Sequence, residues 1–222
     1  MAKRLKVKLK LKRRDARPEA QGVKPAARGA EPETRSAKIA LASSSPRRAE
    51  LLRNARIAFT VSPVEVAEER RQQEWPEDFV RRVAGEKAGT VFAKHPDKFV
   101  LGADTVVIVE GQVLGKPANV QDATRMLRLL SGGSHLVTTG VCLRGPGVDD
   151  TRAETTTVSF SLLSDAEIAE YVATGEPMDK AGAYGIQGIA SRWVTHLDGC
   201  YFNVMGLPVP LVYRMLREHG AL

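Results

Sequence analysis

The chain has 222 residues, 43% of them hydrophobic, and a formal net charge of +7. That length supports one large domain with a buried core, and no apolar run approaches the length of a membrane span. Residues 1–38 hold 13 Lys+Arg against 4 Asp+Glu (net +9), which leaves 20 against 22 in the rest (net −2), so the body is no basic platform for nucleic acid.

The cysteines, Cys142 and Cys200, and the histidines, His95, His135, His196 and His219, show no metal-ligand spacing. Two distant thiols fit a reduced, cytoplasmic setting. Residues 3–14 alternate Lys with Leu and Val, and residues 15–37 are rich in Ala, Pro, Arg and Glu. The alternation over 3–14 allows a strand with one basic face or a flexible tail, the composition of 15–37 predicts disorder, and the whole of 1–37 reads as a basic, solubilising or weakly anion-binding N-terminal arm. It lacks the apolar segment of a secretory signal.

In chain order, a strand is predicted over 38–42, with Ser45 and Pro46 opening a helix to about 54. A short strand follows near 58–62, then a polar loop over 64–73. Pro76 opens a long helix to about 94. A strand over 99–109 turns back at Glu110-Gly111-Gln112 into Val113-Leu114. A helix over 120–130 is stopped by Gly132-Gly133. Strands are predicted over 135–144 and 151–162, with a loop between. Ser164 and Glu167 form a capping box for a helix over 165–174. Residues 193–197 and 200–204 read as a hairpin about Asp198-Gly199, and a last helix follows Pro208. Interleaved helices and hairpins predict an α/β fold around a mixed sheet.

Four constellations stand out. Arg47 and Arg48 occupy a first helical turn, where the helix dipole favours acids. Together with Ser43 and Ser45 they describe a phosphate seat. Asp104 lies in a strongly apolar strand and needs a partner. The hairpin offers Lys116, opposite Thr105 if the turn is Glu110-Gly111 and opposite Val107 if it is Gly111-Gln112. Lys87 falls inside the apolar stripe of its helix, so it either snorkels or points into a cleft. The glycine-rich stretch 179–188 allows close approach to a ligand, and Gln187 offers a donor and an acceptor. Glu68 or Glu69, in the polar loop, would complete a Mg²⁺ site with Asp104. The glycine-lysine loop of nucleotide-binding ATPases, the serine elbow of hydrolases and the dinucleotide fingerprint are all absent.

Ser43-Ser44-Ser45-Pro46-Arg47-Arg48, Glu86-Lys87-Ala88, Gly102-Ala103-Asp104-Thr105, Gly115-Lys116-Pro117, the stretch 179–188 and Val204-Met205-Gly206-Leu207-Pro208 follow one another. In this order and spacing the chain, from about 38 to 218, resembles the Maf family of nucleoside triphosphate pyrophosphatases. The resemblance implies a fold like that of the inosine triphosphate pyrophosphatases, with two α/β lobes around a nucleotide cleft and often a homodimer. It implies hydrolysis of a nucleoside triphosphate to the monophosphate and pyrophosphate with a divalent cation, Mg²⁺ or Mn²⁺. By resemblance Asp104 is the proton acceptor that activates water, and Lys87 and Lys116 bind phosphate. Ser43, Ser45, Arg47 and Arg48 line the same seat, and Glu68, or Glu69 by a shift of one, is the second acid. Arg47, Thr105 and Gln187 match the branch that cleaves dTTP and UTP, with modified uridine triphosphates as an extension. Arg48 then serves phosphate and Arg47 base choice. A middle serine at Ser44 departs from the Gly or Thr of many members. Two other readings remain. One is a nucleotide-binding regulator of cell division with little turnover. The other is a basic arm that tethers the enzyme to nucleic acid or anionic membrane.

Overall fold

The structure is a computed structural model that describes residues 38–222. The expectations for the arm fall outside the described residues. In order the elements are β1 (Ile39–Ala42), α1 (Pro46–Asn54), β2 (Thr60–Val61), α2 (Pro76–Phe92), β3 (Phe99–Val109), β4 (Gln112–Leu114), α3 (Val120–Leu130), β5 (Ser134–Gly145), β6 (Val148–Phe160), α4 (Asp165–Ala173), β7 (Val194–Asp198), α5 (Tyr201–Val204) and α6 (Val209–Glu218). Short 3₁₀ turns carry residues 176–193 between α4 and β7.

The sheet is mixed, in the order β2-β1-β3-β5-β6-β7, with β4 also on β3. β1 runs parallel to β2 and β3, and every other pair is antiparallel. Alternation along each strand separates two cores. Ile39 and Leu41 of β1 join the larger one with Leu101, Leu127 and Leu216, whereas Ala40 and Ala42 join a smaller one with Ala84, Ala88 and Val100. One continuous sheet runs through the described residues, with apolar core on each face.

Helix α2 covers the smaller face because that face is built from small residues. A side chain at Gly102 would meet Ala84 O and Ala88 N of α2, and one at Gly140 would meet the backbone of Val80 and Arg81. Both positions are on the face of Asp104. Gly102 precedes it by two residues, and Gly140 pairs directly with it across β5. The helix axis is thereby drawn close enough for Lys87 to reach the strand.

Three expectations are corrected. Residues 145–150 are not a loop: β5 continues to Gly145, and β6 starts at Val148 after a turn with Gly147 at φ +74°. The polar ends stay in the ladder because Arg144 pairs with Asp149, and Arg152 with Asp150. Residues 200–204 are not a strand. Cys200 gives its N–H to Thr156 Oγ1 and takes that hydroxyl's proton on its carbonyl, so the chain turns there into α5. The strand near 58–62 contracts to two residues. In the β3–β4 hairpin, Val109 faces Gln112, so the turn is Glu110-Gly111 and the register that aligned Lys116 with Val107 is excluded. The ladder stops at Leu114.

Candidate active site

The site lies in a gap along one edge of β3. On one side β5 pairs with β3 from Val100 to Ile108. On the other side β1 pairs with Phe99 to Gly102, and β4 with Val107 to Val109. Between them residues 103–106 have no neighbouring strand among the described residues. The chain leaving β1 delivers 43–48 to one end of this gap, and the chain leaving β4 delivers Gly115 and Lys116 to the other. This is also the carboxyl end of the parallel strand β1, where open α/β sheets form crevices. A cavity of about 640 Å³ fills the gap, lined among others by Ser43, Ser45, Arg48, Asp104, Lys116 and Gln187. That volume is in the range of small-molecule sites.

Lys87 points into the cleft. It is buried, and its Nζ lies 2.7 Å from Asp104 Oδ1 and 2.6 Å from Glu68 Oε1. Burial raises the Asp104 pKa, against the pull of Lys87 and Arg48. Burial also acts upward on Glu68, but the Lys87 bond and charge, with Lys116 and Arg48, bring it below the ordinary value. Of the two candidate acids in the loop, it is Glu68 that reaches Lys87. Glu69 offers its backbone carbonyl to Arg82, 3.0 Å away. Arg82 also grips Glu74, and this bond holds the Glu74 carboxyl down at about 2. The loop carrying Glu68 is thus tied to α2 by Arg82, a residue the sequence motifs did not single out.

Helix α1 begins with Ser45 as N-cap and Pro46 next, without a side-chain cap bond and without an acid in the first turn. Ser43 Oγ accepts from Ser45 N and from Arg48 Nη1, both at 3.2 Å. Arg48 also donates to Gly206 O at 2.7 Å and to Thr105 Oγ1 at 3.1 Å. Its partners among the described residues are all neutral, and burial lowers its pKa. Arg47 behaves differently. It reaches Asp179 Oδ2 at 2.7 Å and Asp179 O at 3.2 Å, and Lys180 holds the other Asp179 oxygen. Arg47 is thereby fixed to the glycine-rich stretch that carries Gln187, while Thr105 sits beside Arg48.

The cavity wall holds five cations and four carboxylates. Lys87, Arg47 and Lys180 have carboxylate partners; Arg48 and Lys116 form no ion pair among the described residues. Asp179 and Lys180 lie inside the stretch 179–188 singled out in the sequence, but neither they nor the neighbouring Glu176 were given a role there. Their signal was a run of charges beside the glycines. Glu68 and Asp104, converging on one ammonium, are hard oxygen donors that suit Mg²⁺ or Mn²⁺ beside phosphate.

A cleft that pairs uncompensated cations with two converging carboxylates, at the edge of a mixed α/β sheet, belongs to a protein that binds a polyanion. The chain belongs to the Maf family: the model of that family, described as "Maf-like protein", matches residues 38–219. The chain is 56% identical to the dTTP/UTP pyrophosphatase of Koribacter versatilis, over 83% of this chain and 95% of that one. It is 47% identical to the dTTP/UTP pyrophosphatase of Halalkalibacterium halodurans, over 82% and 96%. Among solved structures it is similar to the Staphylococcus aureus Ham1 protein, at 12% identity and a TM-score of 0.49, over 82% of this chain and 98% of that one. The fold is defined by the sheet order above and not by that likeness. Among the described residues no helix is long and apolar enough to cross a membrane.

Proposed function

We propose that the protein hydrolyses dTTP and UTP to the monophosphate and pyrophosphate. One observation carries the reading: Arg48, half-buried at the positive end of α1, is held by neutral groups and has no carboxylate partner among the described residues. A desolvated guanidinium of that kind calls for a bound anion. The printed names of the relatives supply the nucleotide. The arm, 1–37, is then an appendage to a catalytic domain over 38–222.

In this reading Arg48, Ser43 and Lys116 hold the phosphates along the gap. Lys87 keeps Asp104 and Glu68 in place and neutralises them while the site is empty. Water adds across one phosphoanhydride bond and gives its proton to the Asp104 carboxylate. The raised pKa of Asp104 suits a proton acceptor. The pyrophosphate leaves with the bridging oxygen. A divalent cation, held by Glu68 and Asp104, would supply further charge neutralisation at the phosphates. Gln187 faces the base, with Arg47 setting the position of its loop. The free thiols Cys142 and Cys200 accord with a reducing, cytoplasmic setting.

The test is release of pyrophosphate from dTTP with Mg²⁺ present. Asp104→Asn is expected to abolish turnover and to leave the unfolding transition cooperative. Full turnover in that variant would remove Asp104 from the mechanism. A wild-type protein that binds dTTP and releases no pyrophosphate would favour the regulator reading instead.

A further inference from the structure

Thr105 follows Asp104 in sequence, but its side chain is on the opposite face of β3, away from Lys87. Its hydroxyl meets Arg48 Nη2 at 3.1 Å, Thr139 Oγ1 at 2.9 Å and Gly206 O at 3.4 Å. Thr139 pairs directly with Thr105 across β5 and is fully buried. It donates to Asn203 O at 3.2 Å. That same carbonyl accepts from Gly206 N at 2.9 Å, and Gly206 O accepts from Arg48 Nε at 2.7 Å. Both of these grips on the guanidinium, through Thr105 and through Gly206, therefore lead back to one carbonyl. The Asn203 side chain is also buried and donates to Val137 O and Thr156 Oγ1, which pins the turn to β5 and β6.

The ends of this chain limit its direction. A guanidinium only donates and a carbonyl only accepts. With its own proton on Asn203 O, Thr139 can only accept from Thr105, and Thr105, which accepts from Arg48, has one proton to give to Thr139 or to Gly206 O. Thr105 has no proton left for a ligand, so it acts on the cleft through Arg48. Bonds aligned in this way polarise one another.

We infer that Thr139 is a positioning residue that, through Thr105, aims Arg48 at a bound phosphate. The inference rests on Arg48 being a phosphate ligand, and not on which nucleotide is cleaved.

The experiment is calorimetric titration of the full chain with inorganic pyrophosphate and Mg²⁺, alongside dTTP kinetics. Thr139→Val keeps the shape and leaves no buried group without a partner, because Asn203 O retains Gly206 N and Thr105 retains Gly206 O. Its affinity for pyrophosphate should fall about fivefold to tenfold, the scale of one neutral hydrogen bond. The KM for dTTP should rise with it, and the melting temperature should hold. Thr139→Ser, which keeps the hydroxyl, should bind like wild type. The inference is overturned if Thr139→Val binds pyrophosphate like wild type, if Thr139→Ser loses as much as Thr139→Val, or if the wild type binds no pyrophosphate. A wild type that binds pyrophosphate and leaves dTTP intact would overturn the substrate reading. The two titrations would then still decide the role of Thr139.

Discussion

Lys87 stands among Val83, Ala84, Ala88 and Val91, all buried. An ammonium in that stripe is tolerated only because Asp104 and Glu68 receive it. Lys87→Met leaves two carboxylates facing each other, one of them buried. Loss of one partner of a buried ion pair costs about 3–5 kcal/mol. The variant should therefore melt well below wild type, and Mg²⁺ should raise its melting temperature more than that of wild type. An equal shift in both proteins would count against the two carboxylates as cation ligands. The pair Arg47–Asp179 is of another kind, because Asp179 is largely exposed. Asp179→Asn should change stability by less than about 1 kcal/mol. Its effect belongs to selectivity: with Arg47 released, the preference for dTTP over purine nucleoside triphosphates should narrow. An unchanged ratio of kcat/KM values would dissociate Arg47 from base choice.

At the scale of elements, the fit of α2 on the sheet depends on two glycines. Gly102→Ala places a methyl 2.9 Å from Ala88 N and against Ala84 O, both backbone atoms that cannot turn aside. Overpacking of this kind costs about 1–3 kcal/mol or more. Denaturant unfolding should report that loss, together with a fall in turnover as Lys87 is lifted from Asp104. Unaltered stability would mean that α2 slides freely over β3. Most elements were legible because their ends carry local chemistry: Pro46 and Pro76 at helix starts, Ser164 with Glu167 as a capping box, Glu110-Gly111 at the hairpin. Lys87 and Asp104 were legible as charges in apolar surroundings. α5 was not, because its apolar run reads as a strand and only the distant Thr156 turns it into a helix. The roles of Arg82 and Thr139 were equally hidden. A surface arginine and a strand threonine acquire meaning only from partners far away in sequence or across the sheet.

At the scale of the whole molecule, one buried group ties stability to pH. His135 lies beneath the cavity wall, edge-on to Phe160 and Tyr184, with Nε2 2.8 Å from the Tyr184 hydroxyl and Nδ1 buried without a partner among the described residues. Burial lowers its pKa from 6.5 to about 4. An unfolded chain takes up a proton at this residue below pH 6.5, and the folded chain does so only near pH 4. Stability should therefore fall as pH drops through that window, by about 3 kcal/mol from this residue. His135→Gln, which can still bond the tyrosine, should flatten the slope. An equal slope in both proteins would place the dependence elsewhere.

The gap beside residues 103–106 has a second consequence. It leaves a stretch of β3 with one side open in the interior of an otherwise continuous ladder, and an open strand edge is a template for another chain. Here the opening is guarded by Arg48, Lys116 and Asp104, charges of the kind that keep exposed edges from joining. The residues that would bind substrate also put charge on this open edge, a device that opposes edge-to-edge pairing. Variants that neutralise them put solubility at risk together with turnover, most of all when no nucleotide fills the gap.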